Sequence, residues 1–131
     1  MRMLPPLIAL ILSGCASRPG LRPFTTDGCS LFSNGTSKDK TLWLHCCEAH
    51  DHEYWLGGTK EERRQADLRL RDCVSVLGHP KTGAWMRWGA RVGGAPYLPT
   101  PFRWGYGWPY PRGYKSPTED EVKRMDTFPS R

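Results

Sequence analysis

The sequence predicts a mainly α-helical protein. Two antiparallel helices are cross-linked by disulfides, and an irregular C-terminal segment rich in aromatic residues, proline and glycine follows them. Three observations predict this fold: a helical repeat, a capping signal directly after it, and cysteines in both helical stretches. The first repeat comprises Leu42, Trp43, Cys46, His50 and Tyr54. We place the N-cap of this helix at Ser37 or Asp39, and its end at Gly57-Gly58.

The second helix begins after Thr59, because Thr59-Lys60-Glu61-Glu62 matches a capping box. Its apolar stripe recurs at helical spacing and comprises Ala66, Leu70, Cys73 and Leu77. Gly78-His79-Pro80 ends the helix. The short connection makes the two helices antiparallel neighbours.

The sequence of the C-terminal third predicts a less regular structure. Residues 82–92 form a short third helix in this interpretation, and one of its faces carries Trp85, Trp88 and Val92. Residues 97–114 interleave aromatic side chains with arginine, glycine and proline, which suits a membrane interface. We expect these aromatic rings mainly to complete the core, because two helices alone bury too little apolar surface. Ser116-Pro117-Thr118-Glu119 caps a brief final helix.

Length and composition predict one small domain with an anionic partner. The 131 residues include 12 prolines and 14 glycines, and 38% are hydrophobic, so the small core needs covalent staples. The net charge of +6 indicates nucleic acid or a membrane surface as the partner. The N-terminus favours a phospholipid membrane surface over nucleic acid, and no obligate protein partner is evident.

The N-terminus has the features of an export signal. Met1-Arg2-Met3 is basic, and the apolar run Leu4–Leu12 is too short to cross a hydrocarbon core of ~30 Å. The next residues, Leu12-Ser13-Gly14-Cys15, resemble the lipobox of bacterial lipoproteins. This resemblance implies cleavage before Cys15 and diacylation of its thiol. The alternative is an ordinary signal peptide with an incidental cysteine.

The chain therefore divides into a lipoprotein signal peptide at 1–14, a linker at 15–26, a domain at 27–114 and a tail at 115–131. We expect a lipid-anchored protein of the bacterial cell envelope. Because alanine and not aspartate follows Cys15, nothing indicates retention at the inner membrane. We expect the outer membrane, with the protein facing the periplasm or the exterior.

Export and lipidation leave an even number of cysteines for disulfides. They are Cys29, Cys46, Cys47 and Cys73. Cys46 and Cys47 do not pair with each other, because neighbouring side chains on a helix point about 100° apart. Two pairings remain open: Cys46 joins either Cys29 or Cys73, and Cys47 joins the other.

A cross-link between Cys46 and Cys73 would align two polar residues. His50 lies about 6 Å beyond Cys46 on the first helix, and Asp67 lies about 9 Å from Cys73 in the same direction on the second. Asp67 then faces His50, and Tyr54 is able to hydrogen-bond to Asp67. A carboxylate behind an imidazole fixes its tautomer and stabilises the imidazolium, as general-base catalysis requires.

If Cys46 pairs with Cys73, Cys47 is left to form a disulfide with Cys29. This pairing draws the turn-rich loop Asp27–Gly35 towards Asp51. A loop of small residues directs backbone carbonyls at one point, and a carboxylate opposite them forms a hard-oxygen site suited to Ca²⁺.

Two stretches of this sequence resemble secreted phospholipase A2. Cys46-Cys47-x-x-His50-Asp51-x-x-Tyr54 is similar to the active-site helix of that family, and Asp67-x5-Cys73 is similar to its second catalytic helix. The resemblance implies that His50 is the general base that activates a water to attack an ester carbonyl. It implies that Asp67 orients His50 and that Tyr54 supports Asp67.

The resemblance covers residues 27–77 and also implies a calcium site. Asp51 would bind Ca²⁺ together with the carbonyl oxygens of Gly28, Ser30 and Phe32, and the ion would stabilise the oxyanion and hold the substrate phosphate. The loop reads Gly-Cys-Ser-Leu-Phe and departs from the glycine-rich calcium loop usual in the family, and Glu53 stands where the family often has a cysteine. The disulfide pairs that the family implies are Cys46–Cys73 and Cys29–Cys47.

The predicted function is a phospholipase A2-like lipid esterase that hydrolyses acyl esters of glycerophospholipids with a His/Asp-activated water and Ca²⁺. The alternative is a non-catalytic envelope lipoprotein that uses the same fold for binding or structural support. We expect the remaining polar residues of the first helix to be solvated, because they fall on several faces and match no zinc spacing. They are His45, Glu48, His52 and Glu53. We expect the charged residues Lys60–Arg64 to be solvated as well.

Overall fold

A computed structural model describes residues 20–125, which form a mainly helical structure. The helices in this range are α1 (Leu44–Leu56), α2 (Lys60–Val76), α3 (Pro80–Gly93) and α4 (Glu119–Met125). The described range contains no β-strand, and none of its helices is long and apolar enough to cross a membrane. The predicted helical fold class is confirmed. The predicted signal peptide, Cys15 and the end of the tail lie outside the described residues.

α1 begins at Leu44, later than the predicted start at Ser37 or Asp39. The Asp39 carboxylate caps a turn instead of a helix, since its Oδ1 accepts the N–H of Thr41 at 3.2 Å. The predicted end is confirmed, because α1 stops at Leu56 and Gly57 follows with φ +71°, a conformation that glycine adopts readily.

α2 begins at the predicted capping box and occupies the centre of the helical part. The Thr59 hydroxyl accepts the N–H of Glu62 at 3.1 Å, and the Glu62 carboxylate accepts the N–H of Thr59 at 3.0 Å. α2 packs against both α1 and α3. Gly83 of α3 permits the close approach, because a β-carbon there would lie 2.5 Å from the carbonyl oxygen of Arg71. Side chains of α2 therefore reach both neighbouring helices.

Two disulfides fasten α1 to its surroundings. Cys46–Cys73 joins it to α2, and Cys29–Cys47 joins it to the preceding loop. This is the pairing of the two open alternatives that aligns the predicted catalytic residues. The buried residues around the disulfides include Trp43, Leu70, Val74 and Met86. The small core is thus anchored covalently, as the composition predicts.

The segment 94–114 has no helix and packs across the connection between α1 and α2. Trp104 and Trp108 are each only 1% exposed. The indole N–H of Trp104 donates to the carbonyl of Gly58 at 2.9 Å, and its ring packs edge-on against Tyr54 with centroids 4.9 Å apart. Aromatic residues from this segment therefore form a second core cluster around Tyr54.

Candidate active site

His50 of α1 and Asp67 of α2 face each other beside the disulfide that joins the two helices. Nε2 of His50 and Oδ1 of Asp67 are 2.8 Å apart. The same Oδ1 accepts the hydroxyl of Tyr54 at 2.6 Å. Asp67 is fully buried and His50 is 9% exposed, so the network is shielded from bulk water. The structure thus brings together all three predicted catalytic residues.

Arg91, from α3, binds the second oxygen of Asp67. Its Nη1 lies 2.7 Å from Oδ2. Burial by itself raises the pKa of Asp67, but its hydrogen bonds outweigh burial and hold the pKa below its ordinary value. Asp67 is therefore an ionised carboxylate that accepts a hydrogen bond from Nε2–H of His50. This hydrogen bond selects the tautomer in which Nδ1 of His50 is the free acceptor.

Arg63 is a buried cation beside Tyr54, and the expectation that Lys60–Arg64 are all solvated is wrong at this residue. Arg63 is only 3% exposed. Its Nε donates to the Tyr54 hydroxyl at 3.1 Å, and its Nη1 donates to the Tyr114 hydroxyl at 2.8 Å. Its Nη2 donates to two carbonyl oxygens near the end of α3, each at 3.0 Å. Arg63 therefore ties the phenol of Tyr54 to α3 and to the C-terminal segment.

The helical periodicity of α2 indicates that Arg63 is buried. It lies four residues before Asp67 and seven before Leu70, so it shares their buried stripe. Arg64, one position on, faces solvent and pairs with Glu61 at 2.6 Å. No comparable signal exists for Arg91 in the motif, because local spacing does not place α3 next to Asp67.

The phenol of Tyr54 is a hydrogen-bond donor throughout the physiological pH range. Burial raises its pKa, and the negative charge of Asp67 raises it further. The hydroxyl therefore stays protonated and donates a hydrogen bond to Asp67, while it accepts a hydrogen bond from Arg63. This arrangement holds the Asp67 carboxylate in place and leaves it ionised.

The imidazole of His50 lines an apolar cavity of about 230 Å³. The walls come from the loop 28–32, from α1 and α2, and from the small residues Gly89 and Gly93 of α3. Met86 adds a buried apolar side chain. Since a dry apolar cavity of roughly 150 Å³ already accommodates benzene, part of an acyl chain fits beside His50.

Asp51 borders the same cavity, together with the predicted loop ligands Gly28, Ser30 and Phe32. The Cys29–Cys47 disulfide holds this loop against α1. Gly28 and Ser30 have φ values of +71° and +57°, in the left-handed region that a serine adopts rarely. The four residues predicted to bind a metal therefore lie around one cavity.

The charges around Asp51 fit a hard divalent cation. Burial raises the pKa of Asp51 to about 6, and the nearby Asp27 carboxylate also raises it. Thr26, which no sequence motif marks, donates its hydroxyl to Oδ2 of Asp51 at 2.7 Å. Neither carboxylate forms an ion pair with a lysine or arginine within residues 20–125. Two close carboxylates of this kind, beside a loop of backbone carbonyls, suit Ca²⁺.

The other polar residues of α1 do not form a metal site with one another in the described range. His45 lies 3.6 Å from Sγ of Cys46 and 3.8 Å from Sγ of Cys73. Both sulfur atoms belong to the disulfide, so neither is a thiolate able to bind a metal. Glu53 pairs with Arg69 of α2, whose Nε lies 2.9 Å from Oε1. His45 and Glu53 therefore both contact residues of α2.

Comparisons with protein-family models, with curated proteins and with solved structures find no match to this chain. Its function is therefore inferred from the chemistry of the residues around His50.

Proposed function

We propose that the protein is a phospholipase A2-like lipid esterase that hydrolyses acyl esters of glycerophospholipids. One observation carries the proposal. Nε2 of His50 lies 2.8 Å from the buried Asp67 carboxylate, while the same imidazole lines an apolar cavity. A base held in one tautomer beside space for an acyl chain suits the hydrolysis of a lipid ester. The motif around His50 supports the same reaction class.

His50 acts as the base through Nδ1. A water molecule gives this nitrogen its proton as the water oxygen bonds to the ester carbonyl carbon, and Asp67 stabilises the imidazolium that results. The proton then passes to the glycerol oxygen as the carbon–oxygen bond breaks. The products are a fatty acid and a lysophospholipid. Tyr54 and Arg91 keep Asp67 charged and in place, so that the imidazole returns to the same tautomer.

Asp51 would hold Ca²⁺ together with the carbonyl oxygens of Gly28, Ser30 and Phe32. When bound, Ca²⁺ would supply the positive charge that stabilises the oxyanion and holds the substrate phosphate. The loop stays close to α1 because the disulfide at Cys29 joins them.

We infer that the protein acts at the bacterial cell envelope, anchored through Cys15. The lipobox-like residues Leu12-Ser13-Gly14-Cys15 support this location. The disulfides of the described chain also support it, because disulfides form and persist in oxidising compartments. A lipid anchor would hold the site beside its substrate.

Release of fatty acid from mixed phospholipid micelles tests the function. The full chain with Cys15→Ser is assayed with Ca²⁺ and with a chelator. We expect His50→Gln to lower the rate by about 10²-fold to 10⁴-fold, because general-base catalysis contributes that much. His52→Gln is the matched control, since His52 lies on the same helix but is exposed, and we expect it to keep the wild-type rate. Asp51→Asn should lower the rate with Ca²⁺ to the rate measured with the chelator.

Two outcomes would contradict the proposal. Absence of release from any glycerophospholipid at millimolar Ca²⁺ would exclude the esterase and favour a non-catalytic envelope protein with the same fold. Equal loss of activity in His50→Gln and His52→Gln would exclude a specific role for His50. Calorimetric titration with Ca²⁺, on the wild type and on Asp51→Asn, separates loss of the metal from loss of the base.

A further inference from the structure

The imidazole of His45 faces both sulfur atoms of the Cys46–Cys73 disulfide. Nε2 of His45 lies 3.6 Å from Sγ of Cys46 and 3.8 Å from Sγ of Cys73. The three atoms all lie within 4.8 Å of one another, although Cys73 belongs to α2 and the other two residues to α1. While the disulfide is closed, neither sulfur is a thiolate. Opening it would place two thiolates beside one imidazole.

The distances from His45 to the two sulfurs match a tetrahedral zinc site. With Zn–S of about 2.3 Å and Zn–N of about 2.0–2.1 Å, tetrahedral geometry places the nitrogen about 3.5–3.6 Å from each sulfur. The same geometry places the two sulfurs about 3.8 Å apart, so the disulfide must open before zinc binds. The Cα atoms of Cys46 and Cys73 are 5.7 Å apart, and rotation of the two side chains supplies this separation. The backbone therefore already has the spacing that the metal needs.

The Cys46–Cys73 disulfide is the more accessible of the two. Cys73 is partly exposed, whereas Cys29 and Cys47 are both buried. A thiolate of a reducing dithiol therefore reaches Sγ of Cys73, forms a mixed disulfide there and displaces Cys46 as a thiolate. The second thiolate of the dithiol closes its own disulfide and releases Cys73, so two electrons pass from the dithiol to the cysteines. His45 is exposed, so a metal ion reaches its Nε2 from solvent.

We propose that reduction by a dithiol creates a zinc site formed by His45, Cys46 and Cys73, with water at the fourth position. Zn²⁺ displaces the two thiol protons to solvent as each thiolate binds. One imidazole and two thiolates suit zinc, and they do not suit Ca²⁺, which prefers oxygen ligands. The ion would join α1 to α2 where the disulfide does, and so keep His50 opposite Asp67. Oxidation of both thiolates back to the disulfide would release the ion.

Cobalt binding to the reduced protein tests the site. The full chain with Cys15→Ser is reduced with a phosphine, which adds no competing thiol, and Co²⁺ is added without oxygen. We expect one Co²⁺ per chain with the absorption of a tetrahedral thiolate complex, displaced by Zn²⁺ and absent from the oxidised protein. His45→Ala should bind Zn²⁺ at least about tenfold more weakly, because it removes one of three protein ligands. His52→Ala, exposed on the same helix, is the matched control and should bind like the wild type.

Alkylation of the reduced protein, mapped by mass spectrometry, identifies the ligands. We expect Zn²⁺ to protect Cys46 and Cys73 more strongly than Cys29 and Cys47. Equal or stronger protection of Cys29 and Cys47 would overturn the proposal, as would absent cobalt absorption or equal zinc affinity in the wild type and His45→Ala. His45 is exposed, so the variant should fold, and its unfolding temperature in the oxidised form checks this. None of these measurements uses ester hydrolysis, so their result is independent of the proposed function.

Discussion

The buried guanidinium of Arg63 offers a sharp test of how the site is held together. Arg63→Met keeps the aliphatic length of the side chain and removes every hydrogen-bond donor. The wild-type guanidinium donates to the hydroxyls of Tyr54 and Tyr114 and to two carbonyl oxygens of α3. Tyr114 is partly exposed, so water is able to replace its lost partner. The Tyr54 hydroxyl and the two carbonyls each lose one hydrogen bond, although the hydroxyl keeps its bond to Asp67 and the carbonyl of Ala90 keeps the N–H of Gly94.

These three lost hydrogen bonds set the magnitude. One such bond contributes about 1 kcal/mol net, so the loss of three lowers the free energy of unfolding by about 3 kcal/mol. For a domain of this length, that loss lowers the unfolding temperature by about 10 °C. The effect should be larger than that of an ordinary surface substitution, because α3 loses its link to Tyr54.

Urea and thermal unfolding, followed by circular dichroism, measure the loss. Arg64→Met is the matched control, one residue further along the same helix. Arg64 is exposed and pairs with Glu61 on the surface, and such a pair contributes little to stability. We expect the Arg64 variant to unfold like the wild type. Equal midpoints for the two variants would refute the structural role assigned to Arg63.

Three further predictions concern the same network. Gly94→Ala should destabilise the protein by about 1–3 kcal/mol and lower the rate of the proposed ester hydrolysis, because a β-carbon there would lie 2.6 Å from the phenol ring of Tyr54. Gly93→Ala should be tolerated, because the nearest neighbour of a β-carbon there lies 3.8 Å away. Joint replacement of Cys46 and Cys73 by alanine should lower the free energy of unfolding by about 3.5 kcal/mol, as expected from the chain entropy of the loop that the disulfide closes, and unchanged urea unfolding would contradict this. The folded-state pKa of Asp67 is lowered, so its carboxylate stabilises the fold fully above about pH 4 and this contribution is lost as the pH falls through the folded pKa. Acid unfolding should therefore be steeper below about pH 4 in the wild type than in Asp67→Asn, and parallel curves would count against the ion-paired carboxylate.

Local signals in the sequence predicted helix ends well where the interacting groups are close along the chain. The capping box at Thr59 formed as predicted, because its donor and acceptor groups lie three residues apart. The predicted start of α1 was wrong, because the Asp39 carboxylate caps a turn instead of a helix. The two options use the same short-range hydrogen-bonding chemistry, so composition alone did not separate them.

The alignment of His50 with Asp67 was also within reach of the sequence. The helical rise and the Cys46–Cys73 cross-link determine how far along each helix these residues lie, and both quantities are read from spacing. Elimination left two possible disulfide pairings, so it did not determine which of them forms. The structure has the pairing that aligns the site.

Only the tertiary structure decided what surrounds this network. Arg91 reaches Asp67 because α3 packs against α2, and Gly83 lets the two backbones approach. The same packing determines which face of α3 is buried, and so leaves Trp85 and Trp88 exposed. Periodicity showed that these tryptophans share a face, but it does not say what that face meets. Contacts between distant segments depend on how whole helices fit together, and spacing within one helix does not encode that fit.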